Sequence, residues 1–161
     1  AQAIRQREPT LDCYCLDLPE VISSVAHSPE GVTLVAGNVL DSKSIPDCEV
    51  IVMKHFLDRS LFHDAETVRV LESCKTALLR DTTHATKGKV VIADAVLPDC
   101  GSVDEKNELG LYLDALYMLV GRERQRTRRE WRDIADAAGF DLVGVESTNL
   151  PSCSLIILET K

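Results

Sequence analysis

The stretch MKHFLDRSLFHDAE, residues 53–66, concentrates side chains that could do chemistry. Histidine is the side chain that titrates nearest neutral pH, so His55 or His63 could accept a proton from a bound substrate. His55, His63 and Asp64 together could instead hold a metal ion, since imidazole and carboxylate groups are common zinc ligands. A third interpretation is the polar end of a strand that leads into a solvated helix. Choosing among these interpretations requires the elements that would position the side chains.

Composition predicts one soluble domain that does not bind nucleic acid. The chain has 161 residues, of which 45% are hydrophobic, and this suffices for a single packed core. Its net charge is −8. The one basic run, GRERQRTRRE at residues 121–130, alternates in sign and is typical of the start of a helix rather than of a phosphate-binding surface. No apolar stretch approaches the ~18 residues of a membrane span.

Cysteine usage favours a reducing compartment, either the cytoplasm or the interior of an organelle. The chain has six cysteines, and only Cys13 and Cys15 lie close together in sequence. A zinc site normally needs a second close pair to complete a tetrahedron, and none is present. We therefore expect buried, reduced thiols and no structural metal.

Apolar runs of strand length alternate with helical patterns along the whole chain. Helices are predicted at residues 1–8, 19–28, 64–79, 109–120 and 127–138, and strands at 11–16, 32–36, 48–54 and 88–98, followed by two strands in 140–161. Asp64 is the expected N-cap of its helix, and Thr127 with Glu130 forms a capping box. The unbroken apolar run at 48–54 predicts a strand buried on both faces. The order predicts an α/β fold with an open, doubly wound sheet and a C-terminal antiparallel hairpin.

Ligands of such sheets bind at the carboxyl ends of the strands. Asp17, Asn38, Lys54 and Asp94 each come at or just after the end of a predicted strand. We therefore expect them along one rim. A carboxylate at such a position also caps the following helix in many proteins, so for Asp17 both roles stay open.

Six segments in order resemble the S-adenosylmethionine-dependent small-molecule O-methyltransferases, the group that includes hydroxyindole, caffeate and polyketide O-methyltransferases. They are LDLPEVI, VAGNVL, PDCEVIVMKHFL, KGKVVIADAVLP, LYLDALYMLVGRERQRTRREW and AAGF, between residues 16 and 140. The resemblance implies that residues 1–161 form part of a Rossmann-like class I methyltransferase domain. It also implies S-adenosyl-L-methionine as cofactor and a small-molecule hydroxyl as methyl acceptor.

The resemblance further assigns cofactor contacts. Asp17 matches the acid that accepts hydrogen bonds from the two ribose hydroxyls. Asn38 stands where the family usually has an aspartate for the adenine amino group, and Val39 follows it in the same motif. An amide oxygen can accept the same hydrogen bond. Lys54 matches a residue near the cofactor.

The catalytic positions of the family fall on altered residues. Its motif K-x-x-L-H-D-W carries the proton-accepting histidine, and counting on from Lys54 this position is Asp58. Arg59 beside it would stabilise the charged carboxylate, which makes Asp58 a weaker base than histidine. His63 is the alternative base, because the loop is longer here. Asp94 and Glu123 match acids that orient the base, whereas His55 is expected to pack.

A second departure concerns the start of the domain. The family opens with a strand and a glycine-rich turn, D-x-G-x-G-x-G, and residues 1–11 resemble the helix that follows this turn. Strands 11–16 and 48–54 would then have open edges, so they either pair directly or receive a strand from another polypeptide. We therefore expect impaired or absent catalysis in this chain. The alternatives are a non-catalytic structural or accessory subunit of a larger assembly, or a nucleotide-binding α/β protein of another reaction type.

Overall fold

The computed structural model describes residues 1–59, 61–80, 87–99, 105–120, 124–150 and 153–161. Its helices are α1 (Gln2–Arg7), α2 (Pro19–Ser24), α3 (Asp64–Leu78), α4 (Glu105–Leu119) and α5 (Arg128–Ala137). Its strands are β1 (Cys13–Asp17), β2 (Val32–Ala36), β3 (Val50–Lys54), β4 (Lys89–Asp94), β5 (Phe140–Ser147) and β6 (Ser154–Thr160). The predicted α/β order is confirmed, with boundaries that differ by a few residues.

The chain divides into two compact units, Ala1–Asp47 and Cys48–Lys161. In the first unit β1 and β2 pair in parallel, with Asp17 opposite Ala36. In the second unit four strands form a sheet in the order β3-β4-β6-β5. There β3 and β4 run parallel, whereas β6 is antiparallel to both β4 and β5. The predicted C-terminal antiparallel pair is therefore confirmed.

The core of the second unit surrounds β4 and β6, which have neighbouring strands on both sides. Alternate residues of each strand are fully buried, as expected for strands with one face on a core. The fully buried side chains include Val90 and Ile92 of β4, Ile156 and Leu158 of β6, Val70 and Leu71 of α3, and Trp131 of α5. This core holds the carboxyl end of β4 in a fixed position.

Strand β3 is an edge strand, and the prediction that both of its faces are buried is wrong. Val50 is 48% exposed and Val52 is 55% exposed, so the face of the sheet that these alternate residues share is open. In the plane of the sheet, β3 pairs only with β4 among the described strands of its unit. Within its own unit each of the two open-edged strands has one neighbour, β2 for β1 and β4 for β3. An apolar edge of this kind can accept a further strand.

The first unit buries few side chains of its own. Val32 and Ile45 are its buried hydrophobic residues, and neither α1 nor α2 contains a buried residue. Large apolar side chains remain 40% to 47% exposed at Ile4, Leu11, Tyr14, Leu18, Val21, Val25 and Leu40. A unit with so little buried apolar area gains little stabilisation from its own packing.

The caps at the ends of α3 and α5 can be compared with those predicted from the sequence. Helix α3 has His63 as its N-cap rather than Asp64, and the His63 N–H donates to Glu66 Oε2 at 2.9 Å. The capping box predicted for α5 is confirmed, since Thr127 N–H donates to the Glu130 carboxylate at 2.8 Å. Gly139 follows α5 with φ of 78°, which suits glycine.

The five described cysteines are free thiols. Cys74 and Cys153 are buried, Cys13 and Cys48 are half-buried, and Cys15 is exposed, so the expectation of buried thiols holds for two of the five. Burial raises the pKa of Cys74 to about 12, and the nearby Cys48 adds to this effect. Cys74 is therefore an unreactive core side chain. No helix within the described ranges is long and apolar enough to cross a membrane.

The sheet order predicts very different consequences for truncating two aliphatic side chains of neighbouring strands. Ile92→Ala on β4 should lower the free energy of unfolding by about 2–5 kcal/mol, because it empties a buried volume. The matched change Val52→Ala on the β3 edge should lower it by less than about 1 kcal/mol. Urea unfolding followed by circular dichroism gives both values. Equal losses would contradict the assignment of β3 to the edge.

Candidate functional site

The carboxyl ends of β3 and β4 bring His55 and Asp94 together. Lys54, the last residue of β3, lies opposite Ala93, and the His55 N–H donates to Ala93 O at 3.0 Å. The backbone then turns, because His55 has φ of 48°, in the left-handed region. His55 Nδ1 lies 3.5 Å from Asp94 Oδ1. The sequence analysis predicted Asp94 at this rim but not its partner.

The Asp94 side chain is almost fully buried, whereas the His55 side chain is 56% exposed. Asp94 Oδ1 accepts a hydrogen bond from the Ala95 N–H at 2.8 Å, and its buried Oδ2 has no hydrogen-bond partner among the described residues. Burial raises the pKa of Asp94, while the Ala95 N–H and His55 oppose the rise and the charge of Asp58 reinforces it. A buried carboxylate of this kind gains most from a cation beside it.

Asp58 lies in the loop after β3 and is half-buried. Gln125 Nε2 donates to Asp58 Oδ2 at 3.2 Å. Gln125 is itself buried, and its N–H donates to Asp114 Oδ1 at 2.5 Å. The Asp58 side chain is thus connected through Gln125 to helix α4.

A buried guanidinium, that of Arg126, holds the same loop against the helices. Arg126 is 2% exposed and donates to the carbonyl oxygens of Leu57 and Phe62 at 2.5 and 2.6 Å. It also donates to Thr67 Oγ1 at 3.0 Å and to Asp64 Oδ1 at 2.9 Å. Its guanidinium carbon lies 5.1 Å from the centre of the Trp131 ring, a cation–π distance. The loop between β3 and α3 is therefore fixed at both of its ends.

Ion pairs closer to the surface lie around the buried Arg126 guanidinium. Arg59 donates to Asp64 at 2.8 Å and to Glu130 at 3.1 Å, and Arg124 donates to Glu130 at 2.6 Å. Partial burial opposes ionisation of Glu130, but the hydrogen bonds from Thr127 N–H, Arg124 and Arg59 outweigh it and lower the pKa of Glu130 to about 2. The Arg59 guanidinium donates to Asp64 and Glu130, and its effect on Asp58 stays a prediction.

The cofactor positions predicted in the first unit follow the ends of its two strands. Asp17 is exposed, and its Oδ1 accepts the Leu18 N–H at 2.8 Å. The backbone of Asp17 accepts the Gly37 N–H at 2.9 Å, so Asn38 follows at the same edge. Asn38 is exposed, its Oδ1 accepts the Leu40 N–H at 2.9 Å, and Val39 is half-buried.

Helix α2 does not use Asp17 as a side-chain cap. Its N-cap is Leu18, without a side-chain hydrogen bond, and Pro19 occupies its first turn. The carboxylate of Asp17 thus bonds the N–H of its own neighbour and leaves its second oxygen exposed. A ribose hydroxyl could donate to that oxygen, so the side chains present fit a nucleoside at this edge.

Three further predicted positions have different outcomes. His63 is exposed at the start of α3, where its N–H bonds Glu66. Glu123 lies outside the described residues. Within the described ranges no group of three or more His, Cys, Asp and Glu side chains could hold a metal ion, which speaks against a site made by His55, His63 and Asp64.

Sequence reasoning missed two contributors to the site. Arg126 belongs to a run of alternating charge, and such runs are solvated in most proteins. The pairing of His55 with Asp94 depends on a left-handed residue, for which the sequence offers one signal: histidine tolerates this conformation better than most side chains.

The sequence model of the O-methyltransferase domain family matches residues 1–141. Among curated proteins, flavonoid 7-O-methyltransferase 2 of Ocimum basilicum is 37% identical over 133 residues, covering 82% of this chain and 36% of the relative. Chavicol O-methyltransferase of the same plant is 32% identical over 140 residues, covering 87% and 36%. The chain therefore spans little more than a third of the length of these relatives.

Solved structures share the fold. A methyltransferase of calicheamicin biosynthesis, in its SAH-bound form, superposes with a TM-score of 0.78 at 22% identity and covers 99% of this chain and 45% of that one. A riboflavin-derivative dimethyltransferase from Streptomyces davawensis superposes with a TM-score of 0.77 at 26% identity and the same coverage. LepI in complex with SAM superposes with a TM-score of 0.73 at 19% identity, covering 98% and 39%.

Replacing the buried guanidinium should destabilise the second unit. Arg126→Met removes every hydrogen bond to Leu57, Phe62, Thr67 and Asp64, and we expect the free energy of unfolding to fall by roughly 3–5 kcal/mol. The exposed neighbour Arg128→Met is the matched control and should change it by less than about 0.5 kcal/mol. Urea unfolding monitored by Trp131 fluorescence measures both. Comparable effects of the two changes would rule out a structural role for Arg126.

Glu130 should make stability depend on pH in the acid range. Because the folded-state pKa of Glu130, about 2, lies below the ordinary value of 4.5, its contribution is present above pH 4.5 and is lost as pH falls toward 2. The stability difference between wild type and Glu130→Gln should therefore shrink over that window. Thermal unfolding at several pH values tests this, with exposed Glu146→Gln as the control. A difference that stays constant with pH would contradict the assignment.

Proposed function

The chain belongs to the O-methyltransferase domain family, and from this premise we propose that it takes part in methyl transfer from S-adenosylmethionine to a hydroxyl of a small molecule. The family match over residues 1–141 carries this proposal. The plant relatives, named for flavonoid and chavicol O-methylation, support a phenolic acceptor. The rim of the second unit adds the acidic and imidazole groups that proton removal from a hydroxyl needs.

In this proposal the first unit binds the nucleoside part of the cofactor. The exposed Asp17 carboxylate accepts hydrogen bonds from the ribose hydroxyls, since only Oδ1 accepts a hydrogen bond from the described part of the chain. Asn38 and Val39 contact the adenine. One lone pair of Asn38 Oδ1 accepts the Leu40 N–H, and the second is free to accept from the adenine amino group.

Lys54 is the proposed cofactor contact of the second unit. It ends strand β3 and is exposed at the same rim as His55. A lysine there presents a mobile positive charge to an anionic group. When bound, S-adenosylmethionine supplies an electrophilic methyl group.

The proton-accepting side of the reaction is proposed at the carboxyl ends of β3 and β4. Asp58 occupies the position of the family's histidine and is held by Gln125, while Asp94 is proposed as an orienting acid whose own neighbour is His55. Glu123, outside the described residues, is proposed as a second orienting acid. A carboxylate is a poor proton acceptor near neutral pH, so a site that relied on Asp58 would be impaired, and most of its rate would come from positioning the hydroxyl.

A non-catalytic role as an accessory subunit is the second proposal, and one observation favours it. Apolar side chains are exposed on the β3 edge, at Val50 and Val52, and along α4, at Tyr112, Met118 and Leu119. We propose that a protein partner covers these surfaces, since an open apolar strand edge can accept a further strand. In such a complex the fold would serve assembly rather than chemistry.

The proposed cellular setting is the cytoplasm or an organelle interior. The free thiols of the described cysteines support a reducing environment, in particular the exposed thiol of Cys15. An exposed thiol beside a half-buried one at Cys13 would be prone to oxidation outside such an environment.

Binding calorimetry with S-adenosylhomocysteine tests the cofactor role directly. Wild type should bind, and Asp17→Ala should weaken binding by about 10- to 100-fold, because hydrogen bonds from two hydroxyls to a charged acceptor are lost. Asp12→Ala, an exposed acid of the same unit, is the matched control and should bind like wild type. Absence of heat with wild type at millimolar ligand would refute cofactor binding by this chain and favour the accessory role.

A further inference from the structure

We propose that His55, oriented by Asp94, is the base that accepts the proton of the substrate hydroxyl in this chain. The inference rests on the proposed methyl transfer. It names a catalytic residue at a position other than that of the family's catalytic histidine, which is Asp58 in this chain. His55 would touch the reacting hydroxyl, whereas Asp94 would act as a positioning residue. Three observations carry the argument: the geometry of the pair, the backbone at His55 and the burial of Asp94.

The geometry leaves one imidazole nitrogen available for chemistry. Nδ1 of His55 faces Asp94 Oδ1 at 3.5 Å, an ion-pair distance slightly longer than a good hydrogen bond. Such contacts are often long before substrate is bound. An Nδ1–H that points at a carboxylate fixes the tautomer in which Nε2 carries a lone pair. Because the His55 side chain is 56% exposed, that lone pair can meet an incoming hydroxyl.

The backbone at His55 is held in an unfavourable conformation. Its φ of 48° is the one positive value at a described non-glycine residue. A residue other than glycine in this region is strained and persists only where its surroundings hold it. Here the His55 N–H is bonded to Ala93 O, and the nearby Leu57 carbonyl is bonded to Arg126. The turn directs the imidazole toward Asp94 at the end of the neighbouring strand.

Burial makes Asp94 effective as a positioning group. Its Oδ2 is buried without a partner among the described residues, so the carboxylate is desolvated on that side. A desolvated carboxylate attracts a neighbouring positive charge strongly, which stabilises the imidazolium as it forms. Two other charged groups are close in sequence to this pair. Lys54 directly precedes His55, and the charge of Asp58 opposes ionisation of Asp94.

The proton and electron balance is simple. Nε2 of His55 takes the hydroxyl proton while the hydroxyl oxygen forms a bond to the methyl carbon. The bond between that carbon and the cofactor's sulfur breaks, so the positive sulfonium becomes a neutral thioether. His55 holds the proton as an imidazolium beside Asp94 and then releases it to water. No oxidant, reductant or further co-reactant is needed.

The other two candidate bases are less well placed. Asp58 bonds Gln125 and is a weaker base than imidazole near neutral pH. His63 begins helix α3, where its N–H is bonded to Glu66. The charge of Asp58 acts on Asp94 and opposes its ionisation, whereas His55 favours it.

Nitrogen-15 NMR of the histidine rings tests the dyad without any cofactor. At a pH where the rings are neutral, the long-range couplings between the ring protons and ring nitrogens of His55 should show the Nδ1–H tautomer in wild type. In Asp94→Asn it should shift toward the Nε2–H tautomer that free histidine prefers, while Asp136→Asn, an exposed acid, should leave it unchanged. An unaltered tautomer in Asp94→Asn would overturn the orientation of His55 by Asp94.

Kinetics test the catalytic part with phenol as the probe acceptor. Anisole formation from S-adenosylmethionine should fall about 100-fold in kcat for His55→Asn, with KM changed less than threefold. Asparagine tolerates the left-handed turn, so this variant should keep the fold. Asp94→Asn should lose about 10-fold in kcat. The control His27→Asn should match wild type.

The possible failures are distinguishable. If wild type binds S-adenosylhomocysteine and makes anisole but His55→Asn is as fast, the base assignment is overturned while the proposed function stands. If wild type binds the ligand but makes no anisole, the assignment of His55 as a base is likewise overturned. If wild type does not bind the ligand, the proposed function fails together with the base assignment, and the tautomer result then describes a structural pair.

Discussion

The guanidinium of Arg126 is the constraint on which the described rim depends. It is buried, and it bonds two backbone carbonyls of the loop between β3 and α3, a threonine and an aspartate of α3, and faces the Trp131 ring. A charge in a protein interior is tolerated only where its donors are satisfied. The loop must therefore present its carbonyls to Arg126, and this requirement fixes the path of the backbone immediately after His55.

Two layers of charge follow from that buried centre. Asp64 accepts from Arg126 on one side and from Arg59 on the other, and Glu130 accepts from Arg59 and Arg124. The network joins α3 and α5 to the loop, in which Asp58 accepts a hydrogen bond from Gln125. Most of these charged side chains therefore hold the loop in place, and the pair proposed for chemistry, His55 and Asp94, lies at the strand ends.

The sequence was informative where structure is local or strongly periodic. The alternation of helices and strands, the terminal antiparallel pair and the capping box at Thr127 and Glu130 were all predictable, because each depends on neighbours in the chain. The exposure of Val52 was not, since an apolar run reads the same at the edge or the centre of a sheet. The capping role of His63, the burial of Arg126 and the His55–Asp94 pair depend on tertiary contacts or on backbone conformations that residue type alone does not fix.

The left-handed backbone conformation at position 55 restricts which residues can occupy this position. Glycine, asparagine, aspartate and histidine accept this conformation, whereas β-branched side chains do not. Within that short set histidine alone changes its charge near neutral pH. Random substitution at this one codon would therefore separate the requirement for folding from the requirement for a titratable side chain. Several residues would still let the chain fold, and one of them would keep a titratable group at the rim.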